Sequence, residues 1–206
     1  MKKVWNAEEK LQYERALQSE GCTLIAGVDE VGRGPLAGPV VCAAVIMPLG
    51  EDEIIVGVDD SKKLSAKKRE ELAELIKQRA LCYTIVEVDE KQIDEINILE
   101  ATKLGMKRAI ESLKTAPEVV ITDGNMTLDV AIRQHSVIHG DALSYSIGAA
   151  SIIAKVYRDK MMDEYAKIYP QYDFEKNKGY GTAAHIKAIK EYGLCPIHRR
   201  TFTKKF

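Results

Sequence analysis

Four acidic residues that follow short apolar runs are the side chains of this sequence best suited to catalysis. They are Asp29, Glu30, Asp123 and Asp141. Each run reads as a strand with glycine near its end. Because an acid is costly inside a sheet, the four predict a gathered, partly desolvated site. Packed carboxylates repel one another unless a cation neutralises them, and hard oxygen ligands favour Mg²⁺ or Mn²⁺. The pattern therefore indicates a divalent-metal site where these strands end.

Each acid also has an ordinary structural interpretation. Asp123 before a glycine is typical of a turn, and Asp141 before a helix is typical of an N-cap. Asp29 beside Glu30 would fit a polar loop. Neighbouring residues of a regular strand point to opposite faces, so these two acids can share a site only where the strand ends or bulges, and glycines follow them closely. As a set, the four acids favour the metal site over these separate interpretations.

Two short segments have the composition of phosphate contacts. Arg33 stands between Gly32 and Gly34, a setting in which backbone amides and a guanidinium can approach a phosphate–sugar chain. A tight turn with a surface arginine is the alternative for these three residues. Ser61 and Lys62 offer a hydroxyl and an ammonium group near a helix start, which also suits phosphate.

The spacing of apolar residues predicts the elements that must position these side chains. Strands are predicted at residues 23–28, 39–47, 54–58, 81–88, 118–122 and 136–139. Helices are predicted at residues 7–20, 65–79, 89–113, 143–168 and 183–192, the third with a weak point at Gly105. This order predicts a three-layer α/β domain with a mixed sheet. We expect a short N-terminal helical segment (residues 1–20), a catalytic domain (21–164) and a C-terminal helical extension (165–206).

The composition allows a nucleic-acid partner. The 206 residues carry 30 Lys and Arg against 31 Asp and Glu, and a near-neutral total does not exclude such a partner because the distribution of charge matters more. Basic residues cluster at 62–69 and again at 198–205, and either cluster could be an ordinary solvated face. For the second cluster we expect a tail that helps to bind substrate and is not needed for folding.

The four cysteines and the apolar runs indicate the compartment. Cys22, Cys42, Cys82 and Cys195 are widely spaced, with no C-x-x-C pair, so buried reduced thiols are expected. The first residues lack the apolar core of a signal peptide, and no apolar run is long enough to span a membrane. We expect a soluble cytoplasmic protein.

Several motifs resemble one known family. Residues 27–40, GVDEVGRGPLAGPV, resemble the opening motif of bacterial ribonuclease HII, the type 2 ribonuclease H family. Further resemblances follow in family order at residues 60–64, 122–125, 140–141, 149–159 and 177–182, with His185 after the last of them. Together they extend from about residue 21 to the C-terminus. The first motif is long and therefore specific.

The resemblance implies an RNase H-like fold, with a mixed central β-sheet flanked by helices and a C-terminal helical extension. It implies that the metal-binding acids are Asp29, Glu30, Asp123 and Asp141. It also implies that residues 32–34 read the ribonucleotide 2′-OH at an RNA–DNA junction and that Tyr180 packs on the neighbouring deoxyribose. Asp159, inside a predicted helix, is interpreted as a structural ion-pair residue, and His185 as a capping or surface residue.

The expected reaction is two-metal-ion hydrolysis that leaves 5′-phosphate and 3′-hydroxyl ends. The expected substrates of this monomer are RNA–DNA hybrids and duplex DNA containing ribonucleotides. Two alternatives remain open at this point. One is another carboxylate-dependent nuclease, such as a DNA exonuclease. The other is a non-catalytic nucleic-acid-binding module, against which the four acids argue because acids repel phosphate unless metal intervenes.

Overall fold

The computed structural model describes residues 5–206, and at its centre is a five-stranded mixed sheet. The strands are β1 (Ile25–Val31), β2 (Val40–Ile46), β3 (Cys82–Val88), β4 (Val119–Asp123) and β5 (Arg133–Val137). Their order across the sheet is β3-β2-β1-β4-β5. The β1–β2 and β2–β3 pairs are antiparallel, and the β1–β4 and β4–β5 pairs are parallel. The predicted mixed sheet is therefore confirmed, and its parallel half brings the carboxyl ends of β1 and β4 to one edge.

Helices cover both faces of the sheet and form the C-terminal part. They are α1 (Ala7–Lys10), α2 (Gln12–Ser19), α3 (Ala66–Arg79), α4 (Glu90–Glu111), α5 (Gly140–Leu143), α6 (Tyr145–Ile168), α7 (Phe174–Asn177), α8 (Ala183–Tyr192) and α9 (Arg200–Thr203). Short 3-10 turns lie at Glu51–Glu53, Ser61–Lys63 and Pro170–Tyr172. No helix in residues 5–206 combines the length and apolar character needed to cross a bilayer.

Alternation along the strands divides the apolar side chains between two layers. Ile25 and Val41 belong to the cluster shared with α3 and α6, whereas Ala26, Val28 and Cys42 belong to the cluster shared with α4. The sheet is therefore buried on both faces, as expected for three layers. A third cluster surrounds Leu36 and joins the end of α6 to α7 and α8.

Helix α6 lies unusually close to β1. A Cβ at Gly27 would stand 2.1 Å from the main-chain carbon of Ser146, so the approach needs a glycine at this position. The start of α6 is also fixed from the N-terminal helices, because the buried Glu14 carboxylate accepts hydrogen bonds from Ser144 Oγ and Ser146 N. This contact settles where α6 lies over the carboxyl end of β1.

Several predicted elements differ from the structure, among them the helix at residues 7–20, which is divided at Leu11 into α1 and α2. The strand predicted at residues 54–58 is a loop, because side chains occupy its backbone groups: Ile55 N donates to Tyr145 Oη, and Trp5 Nε1 donates to Val58 O. The last predicted strand, at residues 136–139, lies earlier, at Arg133–Val137. His139 has a left-handed φ of 59°, which ends the extended chain.

The long helix α4 is interrupted at Asn97 and not at Gly105, where the weak point was predicted. Asn97 has φ 67° and ψ 165°, and its side chain accepts hydrogen bonds from Leu99 N and Glu100 N, so it caps the second half. Gly105 allows close packing instead, since a Cβ there would lie 2.7 Å from Cys42 Sγ.

Candidate active site

Asp29 and Glu30 lie within β1, so the prediction that the strand ends before them was wrong. β1 continues to Val31, and its register with β2 is unbroken, with Asp29 opposite Ala43 and Glu30 opposite Cys42. The parallel ladder with β4, however, ends at Val28, which is paired with Thr122. The two acids therefore lie beyond the last β1–β4 pair, at the carboxyl edge of the parallel half.

The two acids point to opposite faces of the sheet. By alternation Asp29 lies on the α6 face, where Ser151 hydrogen-bonds its carboxylate, and Glu30 lies on the α4 face. Glu30 Oε1 is 3.5 Å from Arg33 Nη1. No bulge joins the two side chains. What they share is Asp123, whose charge acts on both of them.

We call the four acids Asp29, Glu30, Asp123 and Asp141 the acidic group, and the charge of Asp123 acts on the other three. Burial, then the charges of Glu30 and Asp123, raises the pKa of Asp29 well above its ordinary value. Burial raises the pKa of Glu30, with Arg33 opposing and Asp123 adding to the shift. Burial and then Asp123 raise the pKa of Asp141 as well. The charge of Asp123 therefore destabilises the ionised form of each of the other three acids.

The main chain of α5 links Asp123 to Asp141. Asp123 Oδ1 accepts a hydrogen bond of 2.6 Å from Gly140 N, the first residue of α5, and Asp141 is the second. The N-cap of α5 is His139, so the interpretation of Asp141 as an N-cap is wrong. Asp141 is buried, and its Oδ2 lies 3.3 Å from Lys62 Nζ.

Of the two predicted phosphate contacts near residue 60, only Lys62 is exposed. Its ammonium group lies next to the acidic group, because it contacts the Asp141 carboxylate. Ser61 is buried, and its Oγ lies 3.0 Å from the Oγ of Ser151, the serine that also hydrogen-bonds the Asp29 carboxylate. The Ser61 hydroxyl therefore faces α6 rather than solvent.

Residues 32–34 lie against Tyr180. Gly32 has φ +92°, and a Cβ at Gly34 would stand 3.6 Å from Tyr180 Cε1. Tyr180 is 44% exposed, so the residue beside Gly34 is partly open to solvent. Two of the predicted substrate contacts, Gly34 and Tyr180, therefore lie side by side. A third, Arg33, lies beside the acid Glu30.

Two fully buried arginines hold this region, and sequence reasoning missed both. Arg158 donates to the carbonyls of Pro39, Ala37 and Lys178 at 3.0, 3.1 and 2.9 Å. Arg199 donates to the carbonyls of Gly38, Arg33 and Gly32 at 2.9, 2.9 and 2.6 Å. Burial lowers the pKa of Arg158 to about 10 and that of Arg199 to about 9, so both remain charged at neutral pH. Two guanidinium groups therefore hold five backbone carbonyls of residues 32–39, which we call the glycine-rich turn, and the carbonyl of Lys178.

The burial of both His198 and Arg199 contradicts the expectation that the basic tail is not needed for folding. A signal existed for Arg158: Ala154, Arg158 and Met162 recur at helical spacing on the buried stripe of α6. For Arg199 no local signal exists, since its partners lie more than 160 positions earlier.

Asp159 and His185 were singled out as structural residues. Asp159 Oδ1 lies 2.6 Å from Lys155 Nζ, and its Oδ2 lies 3.8 Å from Arg69 Nη2, which confirms the ion-pair interpretation. His185 is fully buried, so the expected capping or surface role is wrong; the cap of α8 is the Thr182 side chain.

The acidic group suits hard divalent ions in its chemistry. Its four carboxylates are the oxygen ligands that Mg²⁺ and Mn²⁺ prefer, and their mutual repulsion is what such an ion would relieve. In the part of the chain from residue 5 onward, no three His, Cys, Asp or Glu side chains already stand as a ligand group. Glu30 and Asp123 are partly exposed at this edge of the sheet, whereas Asp29 and Asp141 are buried.

Comparison with known proteins shows the family to which the chain is similar. The model of the family described as Ribonuclease HII matches residues 26–205. A protein named Ribonuclease HII from Caldanaerobacter subterraneus subsp. tengcongensis is 53% identical over 204 residues, which cover 99% of this chain and 84% of that protein. The crystal structure of ribonuclease H2 from Pyrococcus horikoshii OT3 is 30% identical, with a TM-score of 0.73 and coverage of 88% and 95%. Bst-RNase HIII in complex with Mn²⁺ is 20% identical, with a TM-score of 0.66 over 88% and 65%, a likeness in fold alone.

Proposed function

The chain belongs to the ribonuclease HII family and is therefore a nuclease that cleaves RNA strands, and from this premise we propose its substrates and its mechanism. It hydrolyses the RNA strand of RNA–DNA hybrids and cuts 5′ of ribonucleotides embedded in duplex DNA. The products are 5′-phosphate and 3′-hydroxyl ends. These activities serve ribonucleotide removal from DNA and RNA primer removal in the cytoplasm, and the enzyme acts as a monomer.

One observation carries the proposed mechanism: the four acids of β1, β4 and α5 lie at the carboxyl edge of the parallel half of the sheet, where Asp123 accepts a hydrogen bond from the residue before Asp141. Dependence on divalent metal ions is the general character of this family. In this proposal Asp29, Glu30, Asp123 and Asp141 hold two Mg²⁺ or Mn²⁺ ions. Bound there, the ions would supply water activation and stabilisation of charge on the leaving 3′ oxygen.

The chain's own cations contribute binding and orientation. Lys62 Nζ lies 3.3 Å from Asp141, so its ammonium group can contact a phosphate placed at the acids. Arg33 lies beside Glu30 on the other side of the group, and nearly half of its side chain is exposed. A phosphodiester chain crossing the acids would therefore meet a cation on each side.

Discrimination between RNA and DNA is assigned to residues 32–34 and Tyr180. The backbone of the glycine-rich turn can approach a ribose closely and hydrogen-bond its 2′-OH. The exposed ring of Tyr180, next to Gly34, would pack on the following sugar, where a 2′-OH would disturb the contact. The pair would thus read the step from RNA to DNA.

The test compares three duplexes of one sequence: DNA with a single ribonucleotide, a full RNA–DNA hybrid, and DNA alone. We expect cleavage of the first two, with the cut 5′ of the ribonucleotide in the first, and none of the third, in either Mg²⁺ or Mn²⁺. Equal cleavage of all three would identify a general carboxylate nuclease instead. Tight binding without cleavage would identify a non-catalytic module.

A further inference from the structure

A buried pair of histidines connects the loop before α9 to residues 177–182, which we call the Tyr180 segment. His185 is fully buried and His198 is 3% exposed, and their Nε2 atoms lie 3.0 Å apart. The Nδ1 atom of His185 lies 2.9 Å from Tyr180 O. The Nδ1 atom of His198 lies 2.9 Å from Cys195 N. All four ring nitrogens therefore have a polar partner within hydrogen-bonding distance.

The partners determine where the protons are. Tyr180 O can only accept, so His185 carries a hydrogen on Nδ1. Cys195 N–H can only donate, so Nδ1 of His198 is unprotonated, and the neutral ring has its hydrogen on Nε2. His198 Nε2–H then donates to His185 Nε2. One hydrogen on each ring therefore gives every contact, from Cys195 N to Tyr180 O, one donor and one acceptor. A third hydrogen on the rings would place two N–H groups face to face.

The titratable groups around the pair favour the neutral state. Burial, then the neighbouring His185, lowers the pKa of His198 to about 4, and burial lowers the pKa of His185. Burial raises the pKa of Cys195, whose Sγ is 3.0 Å from His198 Nδ1, to about 11, so this group is a thiol. Tyr172 packs edge-on against His198 at 4.8 Å, and its hydroxyl donates to Gly193 O. Burial raises the pKa of this phenol too.

The histidine pair completes a set of contacts that hold the Tyr180 segment. Three consecutive carbonyls of the segment accept hydrogen bonds from outside it. In chain order the donors are Arg158 Nη1 to Lys178 O at 2.9 Å, Leu36 N to Gly179 O at 2.7 Å, and His185 Nδ1 to Tyr180 O at 2.9 Å. The last bond holds the carbonyl of the residue whose ring lies beside Gly34.

We propose that His185 and His198 are positioning residues for substrate discrimination, which hold the main chain of Tyr180 so that its ring meets the sugar next to the ribonucleotide. The proposal rests on the junction-reading role of Tyr180 proposed above. Neither histidine touches substrate, because both rings are buried between α8 and the loop before α9. Their effect reaches the substrate through one backbone carbonyl.

The first test is substrate preference. The measured quantity is the ratio of kcat/KM on a duplex with one embedded ribonucleotide to kcat/KM on an RNA–DNA hybrid. His185→Leu removes the Nδ1 donor, and we expect it to lower this ratio by about tenfold to a hundredfold, as misplacement of a substrate contact does. His185→Asn keeps an N–H donor near the Nδ1 position and should recover most of the ratio. His135→Asn, at an exposed histidine of β5, is the matched control and should equal the wild type.

The second test uses the wild-type enzyme and needs no activity. Nitrogen-15 spectra of the imidazole rings at neutral pH should show His185 as the Nδ1–H tautomer and His198 as the Nε2–H tautomer. A positively charged ring at either position, or the reversed tautomers, would overturn the proposal. This test stands even if His185→Leu does not fold.

The two proposals fail in different ways. If Tyr180→Ala keeps the wild-type ratio, the junction-reading role is wrong, and the positioning role falls with it whatever the tautomers are. If Tyr180→Ala lowers the ratio but folded His185→Leu does not, the junction-reading role stands and the positioning role is wrong. Loss in His185→Leu with recovery in His185→Asn supports both.

Discussion

At the scale of single residues, the aspartates at 141 and 159 are close in sequence but have different surroundings. Asp141 belongs to the acidic group, where burial and then the charge of Asp123 raise its pKa. Asp159 instead forms ion pairs with Lys155 and Arg69. We expect Asp141→Asn to lower kcat/KM by more than about a hundredfold. This loss would be larger than the loss of activity that follows mutation of a residue that only supports a metal ligand. Asp159→Asn, the matched control, should change the rate little, because partly exposed ion pairs contribute about 1 kcal/mol or less to stability. Steady-state kinetics at saturating Mg²⁺ decide this. The assignment of Asp141 is wrong if the variant of Asp159 proves the slower enzyme at unchanged stability.

Two variants of Tyr180 separate the contribution of ring packing from that of hydrogen bonding at the RNA–DNA junction. Tyr180→Ala should lose cleavage at a single embedded ribonucleotide about tenfold more than cleavage within a long hybrid, if the ring contributes as aromatic contacts to nucleic acid commonly do. Tyr180→Phe keeps the ring and should lie near the wild type. The ratio of kcat/KM on the two substrates is the measurement. A ratio as low for Tyr180→Phe as for Tyr180→Ala would assign the discrimination to the hydroxyl group.

At the scale of elements, the C-terminal residues support the glycine-rich turn rather than forming a free tail. Arg199 donates to three carbonyls of residues 32–38, and its guanidinium lies 5.2 Å from the centre of the Phe202 ring. Arg199→Met would leave these buried carbonyls without donors, so we expect a loss of about 3 kcal/mol or more in the free energy of unfolding. Arg200→Met, at the exposed neighbouring position, should cost less than about 0.5 kcal/mol. Urea denaturation measures both. Equal stability of the two variants would show that the C-terminal basic residues form a solvated tail that does not stabilise the fold.

The elements also show what local pattern can and cannot predict. Helical spacing predicted α3 and α8, because each buries one regular face, and continuous apolar runs predicted the start of α6 and the central strands, which are buried on all sides. The loop at residues 54–58 and the kink at Asn97 were not predicted. In the first, distant side chains take the backbone groups, and in the second, a side chain caps its own helix. The four acids were singled out because a charge directly after an apolar run is visible locally, although Asp29 and Glu30 lie within β1 and not at its end. The role of Arg199 was not predicted, because its contacts join distant parts of the chain.

At the scale of the whole molecule, the acidic group is a source of instability that its ligand would relieve. Burial raises the pKa of Asp29, Glu30 and Asp141, and the charge of Asp123 adds to each shift, so this charge opposes folding at neutral pH when no cation is bound. In EDTA we expect Asp123→Asn to be more stable than the wild type, by on the order of 1 kcal/mol, or about 2–4 °C in Tm for a chain of this size. Mn²⁺ should raise the Tm of the wild type more than that of the variant. A lower Tm of the variant in EDTA would show that Asp123 stabilises the fold, contrary to the repulsion described here.

The four acids and the glycine-rich turn meet only because the sheet, α5 and the C-terminal helices are folded together. One measurement tests the claim that they form a metal-dependent ribonucleotide-cleaving site. It is single-turnover cleavage of an end-labelled DNA duplex with one ribonucleotide, by the wild type and by Asp123→Asn, with Mg²⁺, with Mn²⁺ and with EDTA. We predict a single cut 5′ of the ribonucleotide by the wild type with either ion, none in EDTA, and none by the variant although it still binds the duplex. Cleavage in EDTA, or cleavage by Asp123→Asn at the wild-type rate, would contradict the account.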